Sequence, residues 1–242
     1  MSTQSSNSQT PSENALTTLD LLEQTVVQSN PRPRCPVMLL LDCSTSMTGK
    51  PIQALTEGLG QFIHELHADN TAQSSVELSV ITFGYKVQQI CPFTAAGQIC
   101  ADQLPALRTD GATPMGQAIH MGMRELKNHK NGLRNAGVPY YQPWLVVMTD
   151  GMPNDDWKAH ADYAKQEAQR GKLITMGVGI GPDADMDMLD ALCTQSLPPV
   201  RLNGLRFSDY FRWLSQTLRP ITRDSTEKQP HIRPSGPAFA GA

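Results

Sequence analysis

From about residue 36 onward, two kinds of apolar run alternate along the chain. Pro36-Val37-Met38-Leu39-Leu40-Leu41 and Trp144-Leu145-Val146-Val147-Met148-Thr149 are short and almost continuously apolar, the pattern of a strand covered on both faces. Each stops at an aspartate, Asp42 and Asp150. Ile52, Leu55, Leu59, Phe62, Ile63 and Leu66 instead recur at helical spacing behind Pro51, which suits a first helical turn, and predict an amphipathic helix. A second helix opens at Gly111-Ala112-Thr113-Pro114, with Met115, Ala118, Ile119, Gly122 and Leu126 inward, and a polar loop is expected from Asn128 to Pro139.

Val76 to Phe83 is rich in β-branched residues, and only Gly84-Tyr85 separates it from a second extended run, Lys86 to Cys91. So short a link predicts an antiparallel hairpin. A helix from about Asp155 to Arg170, a strand from Leu173 to Val178 and a helix around Met186 to Leu192 follow. A short strand near Val200 and a helix from Ser208 to Leu218 complete the series. Strands alternating with helices predict an α/β fold: a doubly wound, mostly parallel six-stranded sheet with one antiparallel edge strand and helices on both faces.

Composition sets the boundaries. Residues 1–34 read as a disordered leader, because Ser, Thr, Gln and Asn cannot bury enough apolar area to offset the entropy of ordering them. Within it Leu16, Leu19, Leu22 and Val26 fit a short helix, which the Asn30-Pro31-Arg32-Pro33-Arg34 stretch ends. The domain is expected over 35–221 and a Pro-rich disordered tail over 222–242. A net charge of −3 from nearly balanced totals, without a run of Lys and Arg, argues against nucleic acid or an anionic membrane as partner. Five cysteines at wide spacings, with no CxxC pair, fit a reducing cytoplasm better than a zinc or redox site. No secretory start is legible, and no run approaches the roughly 18 apolar residues of a membrane span.

The chemistry follows from where the two aspartates fall. In open sheets of this kind, ligands bind outside the carboxyl ends of the strands, where strand order reverses. Asp42-Cys43-Ser44-Thr45-Ser46 offers a carboxylate and two hydroxyls at alternate positions, so an extended loop turns all three to one side. With Thr113 and Asp150 they make a hard-oxygen set suited to Mg²⁺, or to Mn²⁺ or Ca²⁺ in its place. Mostly neutral donors leave such a cation in demand of an anionic ligand, and the carboxylate of an Asp or Glu from a partner protein supplies one.

Plainer explanations compete with this one. Ser46 or Thr48 could cap the helix near Pro51, and Asp155 and Asp156 suit the start of the helix that follows them. His64, His67, His120, His129 and His160 share no spacing that places two on one metal, and Cys43 alternates toward the core. Gly49-Lys50 lacks the rest of a nucleotide-binding loop.

Asp42-x-Ser44-x-Ser46, Thr113 in Asp110-Gly-Ala-Thr-Pro, and Asp150 in Thr149-Asp150-Gly151 together resemble the von Willebrand factor A family and its metal-ion-dependent adhesion site (MIDAS). The stretches Ser46-Met47, Gly49-Lys50-Pro51-Ile52 and Thr149 to Trp157 are similar to the bacterial TerY-like type associated with tellurite resistance. The resemblance implies that the two serines and the threonine meet the metal, with the aspartates acting through bridging waters. It implies a non-enzymatic adaptor in a stress-resistance system whose genes neighbour kinase and phosphatase genes, so that a kinase or phosphatase is a candidate partner. Thr45 stands where the family usually has Gly, and Ala112 where it often has a second. If the first position needs a left-handed backbone, a β-branched residue there strains the loop. Two rival readings stay open: a metal-assisted phosphoester hydrolase and a degenerate scaffold that binds no metal.

Overall fold

The structure, a computed structural model, describes residues 32–202 and 206–223, with side chains to residue 218. The expected leader and tail lie almost wholly outside these residues.

Six strands form one sheet in the order β3-β2-β1-β4-β5-β6: β1 (Cys35–Asp42), β2 (Val76–Phe83), β3 (Gln88–Ala95), β4 (Trp144–Thr149), β5 (Ile174–Ile180) and β6 (Val200–Leu202). All neighbours pair in parallel except β2 with β3, which are antiparallel at the edge. The helices are α1 (Lys50–His67), α2 (Met115–Asn135), α3 (Lys158–Gln169), α4 (Met186–Leu192) and α5 (Phe207–Arg223), with a single helical turn at Ala72–Ser75.

Every residue of β1 is buried, which is why its sequence shows no polar alternation. Its two faces feed two cores. Val37, Leu39 and Leu41 pack with Leu55, Leu59 and Phe62 of α1 and with Tyr210, Phe211 and Leu214 of α5. Met38 and Leu40 pack with Ile119 of α2, Ala161 and Ala164 of α3, and Leu189 of α4. Each fully buried Leu or Phe contributes about 1.5–3 kcal/mol relative to exposure. The close approach of α5 to α1 depends on Gly58, where a Cβ would stand 2.8 Å from the Cβ of Phe207.

From β1 the chain passes through α1 to β2 on one side, and from β3 it crosses through α2 to β4 on the other. The strand order therefore reverses between β1 and β4, and the crevice at their carboxyl ends lies beside Asp42 and Asp150.

Several local expectations change; the last helix, for one, runs to Arg223 rather than ending at Leu218. The second helix does not end near Asn128 but runs to Asn135, because Leu133 continues the buried stripe two turns beyond Leu126. The second hairpin strand begins at Gln88 rather than Lys86 and continues through Pro92 to Ala95, a place where an edge strand tolerates proline. The helix expected from Asp155 starts at Lys158. Finally, Arg34 belongs to the domain: it is buried, its N–H donates to Pro139 O at 2.9 Å, and its carbonyl accepts from Tyr141 N at 2.7 Å.

Candidate metal centre

Asp42 ends β1 with its side chain fully buried. Its Oδ1 accepts from the Ser44 N–H at 2.7 Å, and its Oδ2 from the Thr149 hydroxyl at 2.5 Å. These bonds fix the carboxylate between β1 and β4 and bend the chain after it. Burial pushes the Asp42 carboxyl up to about 6; hydrogen bonds from Thr149 and Ser44 oppose the shift, and the charge of Asp150 adds to it. Neither Asp42 nor Asp150 forms an ion pair with a Lys, Arg or His among the described residues.

Beyond Asp42 the chain makes one right-handed 3-10 turn, Thr45–Met47. The turn brings Ser44 Oγ to 3.0 Å from Ser46 Oγ, and Ser46 Oγ donates to Asp150 Oδ1 at 2.7 Å. Thr113 lies on the neighbouring loop, and Gly151 shows how near: a Cβ built on Gly151 would stand 3.8 Å from Thr113 Oγ1 and 3.9 Å from Ser46 Oγ. The fold thus brings all five sequence-predicted residues to one place, from three separate segments.

Thr45 takes a right-handed conformation, so the strain expected of a β-branched residue does not arise. Its side chain joins two loops instead. Thr45 N and Oγ1 both donate to Gly111 O, at 3.1 and 3.0 Å. The left-handed residue nearby is Gly111 itself, at φ 73°, and a Cβ there would meet the Tyr85 backbone at 2.5 Å. Cys43 O accepts from Asp110 N at 2.9 Å, and Asp110 O from Tyr85 N at 2.7 Å. The ends of β1 and β2 and the loop before α2 are therefore stitched together through backbone.

The capping explanation for Ser46 or Thr48 does not hold. The residue before α1 is Gly49, with no side-chain cap, and Ser46 points to Asp150. Capping does explain Asp155, though on a different helix from the one expected. Its carboxylate accepts from Gly116 N and Gln117 N, both at 2.9 Å, in the first turn of α2. Asn154 adds a clasp that sequence reasoning overlooked: its Oδ1 accepts from Thr113 N and its N–H donates to Thr113 O, both at 3.1 Å. Together they lock the Asp150 loop to the start of α2. The signal was their place a few residues after Asp150-Gly151, in the same loop.

Cys43 is buried, and burial pushes its thiol up to about 12, so it behaves as an apolar filler. Contrary to the spacing argument, two histidines do meet: the rings of His120 on α2 and His160 on α3 lie 4.9 Å apart. Arg124 and Lys127 line the same surface pocket, which disfavours a cation there. Among the described residues, no three His, Cys, Asp or Glu side chains gather to hold a metal. The oxygen cluster at the sheet edge is of another kind, two carboxylates and three hydroxyls, which fits a hard cation.

A family model described as the von Willebrand factor type A domain matches residues 37–207. The chain belongs to that family. Its six-stranded sheet, five strands parallel and one antiparallel with helices on both faces, is the von Willebrand factor A fold. The corresponding domain of the type V pili tip protein Mfa5 from Porphyromonas gingivalis is similar, with a TM-score of 0.61 at 10% identity over 81% of this chain and 98% of that one. Proximal thread matrix protein 1 of the mussel byssus, in a structure with a zinc-occupied MIDAS motif, gives 0.55 at 16% identity over 78% and 48%. This von Willebrand factor A chain therefore spans about half the length of the mussel protein. The manganese-loaded TRAP protein of Plasmodium vivax gives 0.51 at 20% identity over 74% and 73%. No curated protein matches the chain by sequence. Among the described residues, no helix is long and apolar enough to cross a membrane.

Proposed function

We propose that the chain is a metal-dependent protein-binding module. The observation that carries this reading is a buried carboxylate and a second beside it, surrounded by hydroxyls, with no cationic side chain paired to either among the described residues. An ionised carboxylate taken out of water is costly unless a counter-charge reaches it. Ser44, Ser46 and Thr113 would hold a divalent ion such as Mg²⁺, with Asp42 and Asp150 orienting them and supplying negative charge. Gly151 presents no Cβ toward two of these hydroxyls, those of Thr113 and Ser46.

When bound, the ion supplies an electrophilic point for an acidic ligand. An Asp or Glu carboxylate of a partner protein completes the ligand set, and the chain acts as an adaptor rather than a catalyst. The zinc and manganese in the mussel and Plasmodium structures support the choice of a divalent ion. The TerY-like stretches extend the proposal to a cytoplasmic stress-resistance system and a kinase or phosphatase as partner.

Calorimetric titration with Mg²⁺ and Mn²⁺ tests the core of the reading. Wild type should release or absorb heat with a one-to-one stoichiometry, and Asp150→Ala should give none. A silent wild type would leave a scaffold that binds no metal. Mg²⁺-dependent turnover of a phosphate ester, lost in Asp42→Ala, would move the chain to the hydrolases.

A further inference from the structure

The end of the molecule that carries the oxygen cluster also carries unusual surface. Tyr85 and Met152 are 80% and 68% exposed, and with Tyr163 they are the exposed large apolar side chains among the described residues. Tyr85 stands on the turn from β2 to β3, and Met152 follows β4 two residues beyond Asp150. Because β2 and β4 flank β1, the two side chains bracket the cluster at the end of β1. Large apolar side chains exposed together beside a cleft are the composition of a binding surface rather than of ordinary solvent-facing loop.

The cleft lies on the Tyr85 side. A cavity of about 270 Å³ opens between the β2–β3 turn and the segment from Pro105 to Asp110, with Gly84, Ile90 and Leu107 among its walls. It reaches Cys43, the residue between Asp42 and Ser44, so the cavity opens next to the chain segment that carries the cluster. Lys86 and Arg108 line it as well, against one carboxylate, Asp110. Neither cation forms an ion pair among the described residues. The backbone beneath Tyr85 is pinned by its hydrogen bond to Asp110 O and by the tight approach of Gly111, so the anchor is presented on a fixed turn.

We propose that this cavity seats an apolar side chain of the partner segment whose Asp or Glu carboxylate reaches the oxygen cluster, and that Lys86 and Arg108 bind a second acidic residue beside it. The proposal rests on reading the cluster as a metal-dependent site. The partner is thereby given a chemistry: an acidic segment with a bulky apolar residue close to its metal-binding carboxylate. Tyr85 and Met152 cover that segment from either side, and the excess of positive charge along the cavity repels basic sequences.

A displayed library of random short peptides, selected on the full chain in Mg²⁺ and eluted with a chelator, tests this. Enriched sequences should pair an Asp or Glu with a bulky apolar residue and a further acid. The corresponding synthetic peptide should bind Tyr85→Ala and Arg108→Glu roughly tenfold or more weakly than wild type. Both variants should retain the Mg²⁺ titration heat, which reports that they fold. Chelator-eluted peptides that bind both variants as tightly as wild type overturn the docking surface while leaving the metal reading in place. Enrichment of basic or purely polar sequences also overturns it. Peptides that bind equally without Mg²⁺ overturn the metal reading and this proposal with it.

Discussion

Asp42 and Glu77 are buried carboxylates on adjacent strands, at opposite ends of those strands, and the fold treats them differently. Glu77 pairs in register with Pro36 near the amino end of β1, whereas Asp42 pairs with Phe83 at the carboxyl end. Glu77 has its partners built in: the Arg34 guanidinium, whose Nε lies 3.6 Å from Oε1, and the His129 ring, whose Nε2 lies 2.6 Å from Oε2. The His129 ring is in turn stacked on Phe93 at 4.2 Å, and Arg34 donates to Ser74 O at 2.6 Å. That site is closed. Asp42 is held by the Ser44 N–H and the Thr149 hydroxyl, one on each oxygen, which leave its charge uncompensated. The difference separates a carboxylate with a cationic side chain beside it from one without.

The largest effect should come from opening the closed site. Glu77→Ala leaves Arg34 buried without its carboxylate and should cost about 3 kcal/mol. That corresponds to a fall in Tm of roughly 6–12 °C for a domain of this size. Mg²⁺ affinity should not change, and a matching loss of affinity would mean that the two strand ends are not independent. Thermal unfolding with and without Mg²⁺ reads both quantities.

Asp42→Asn should act in the opposite direction in the presence of a chelator. The folded carboxyl titrates near 6 and its ordinary value is 3.8, so folding favours the protonated form. Stability of the metal-free wild type should therefore fall as pH rises from about 3.8 to 6, and the cost should persist above that. The neutral amide removes a penalty on the order of 2–3 kcal/mol at pH 7. In Mg²⁺ at about a hundred times its dissociation constant, wild type should gain about 2.7 kcal/mol, and Asp42→Asn should gain nothing. A variant less stable than wild type in chelator would show that Asp42 is compensated after all.

The smallest effect sharpens the role of the loop. Thr45→Ala removes the hydroxyl bond to Gly111 O and should cost about 1 kcal/mol. Mg²⁺ titration should show affinity reduced by roughly fivefold, because the Ser44–Ser46 turn loses a tie to the Thr113 loop. Unchanged affinity would mean that the backbone bond from Thr45 N holds the turn alone.

Where sequence reading succeeded and where it failed has a common physical basis. The apolar runs of β1 and β4, the stripe of α1 and the aspartates ending both strands were legible because burial on two faces or one writes itself into periodicity. The last two turns of α2 were not, since Asn128 to Gly132 are polar and Leu133 alone returns to the core. Asp155 was assigned to the wrong helix because the groups it caps lie 38 and 39 positions earlier in the chain.

By itself, then, the sequence determined the alternating α/β order, the edge hairpin and the aspartates that follow two buried strand runs, because each leaves a local mark in spacing or residue type. Only the tertiary structure decided that Thr45 and Asn154 tie the Ser44–Ser46 turn and the Asp150 loop to the loop of Thr113, that Glu77 pairs with Arg34, and that Asp42 has no such cation among the described residues. Such pairings join residues scores of positions apart, where neither propensity nor periodicity carries information, and they exist only once the sheet has set its strand order.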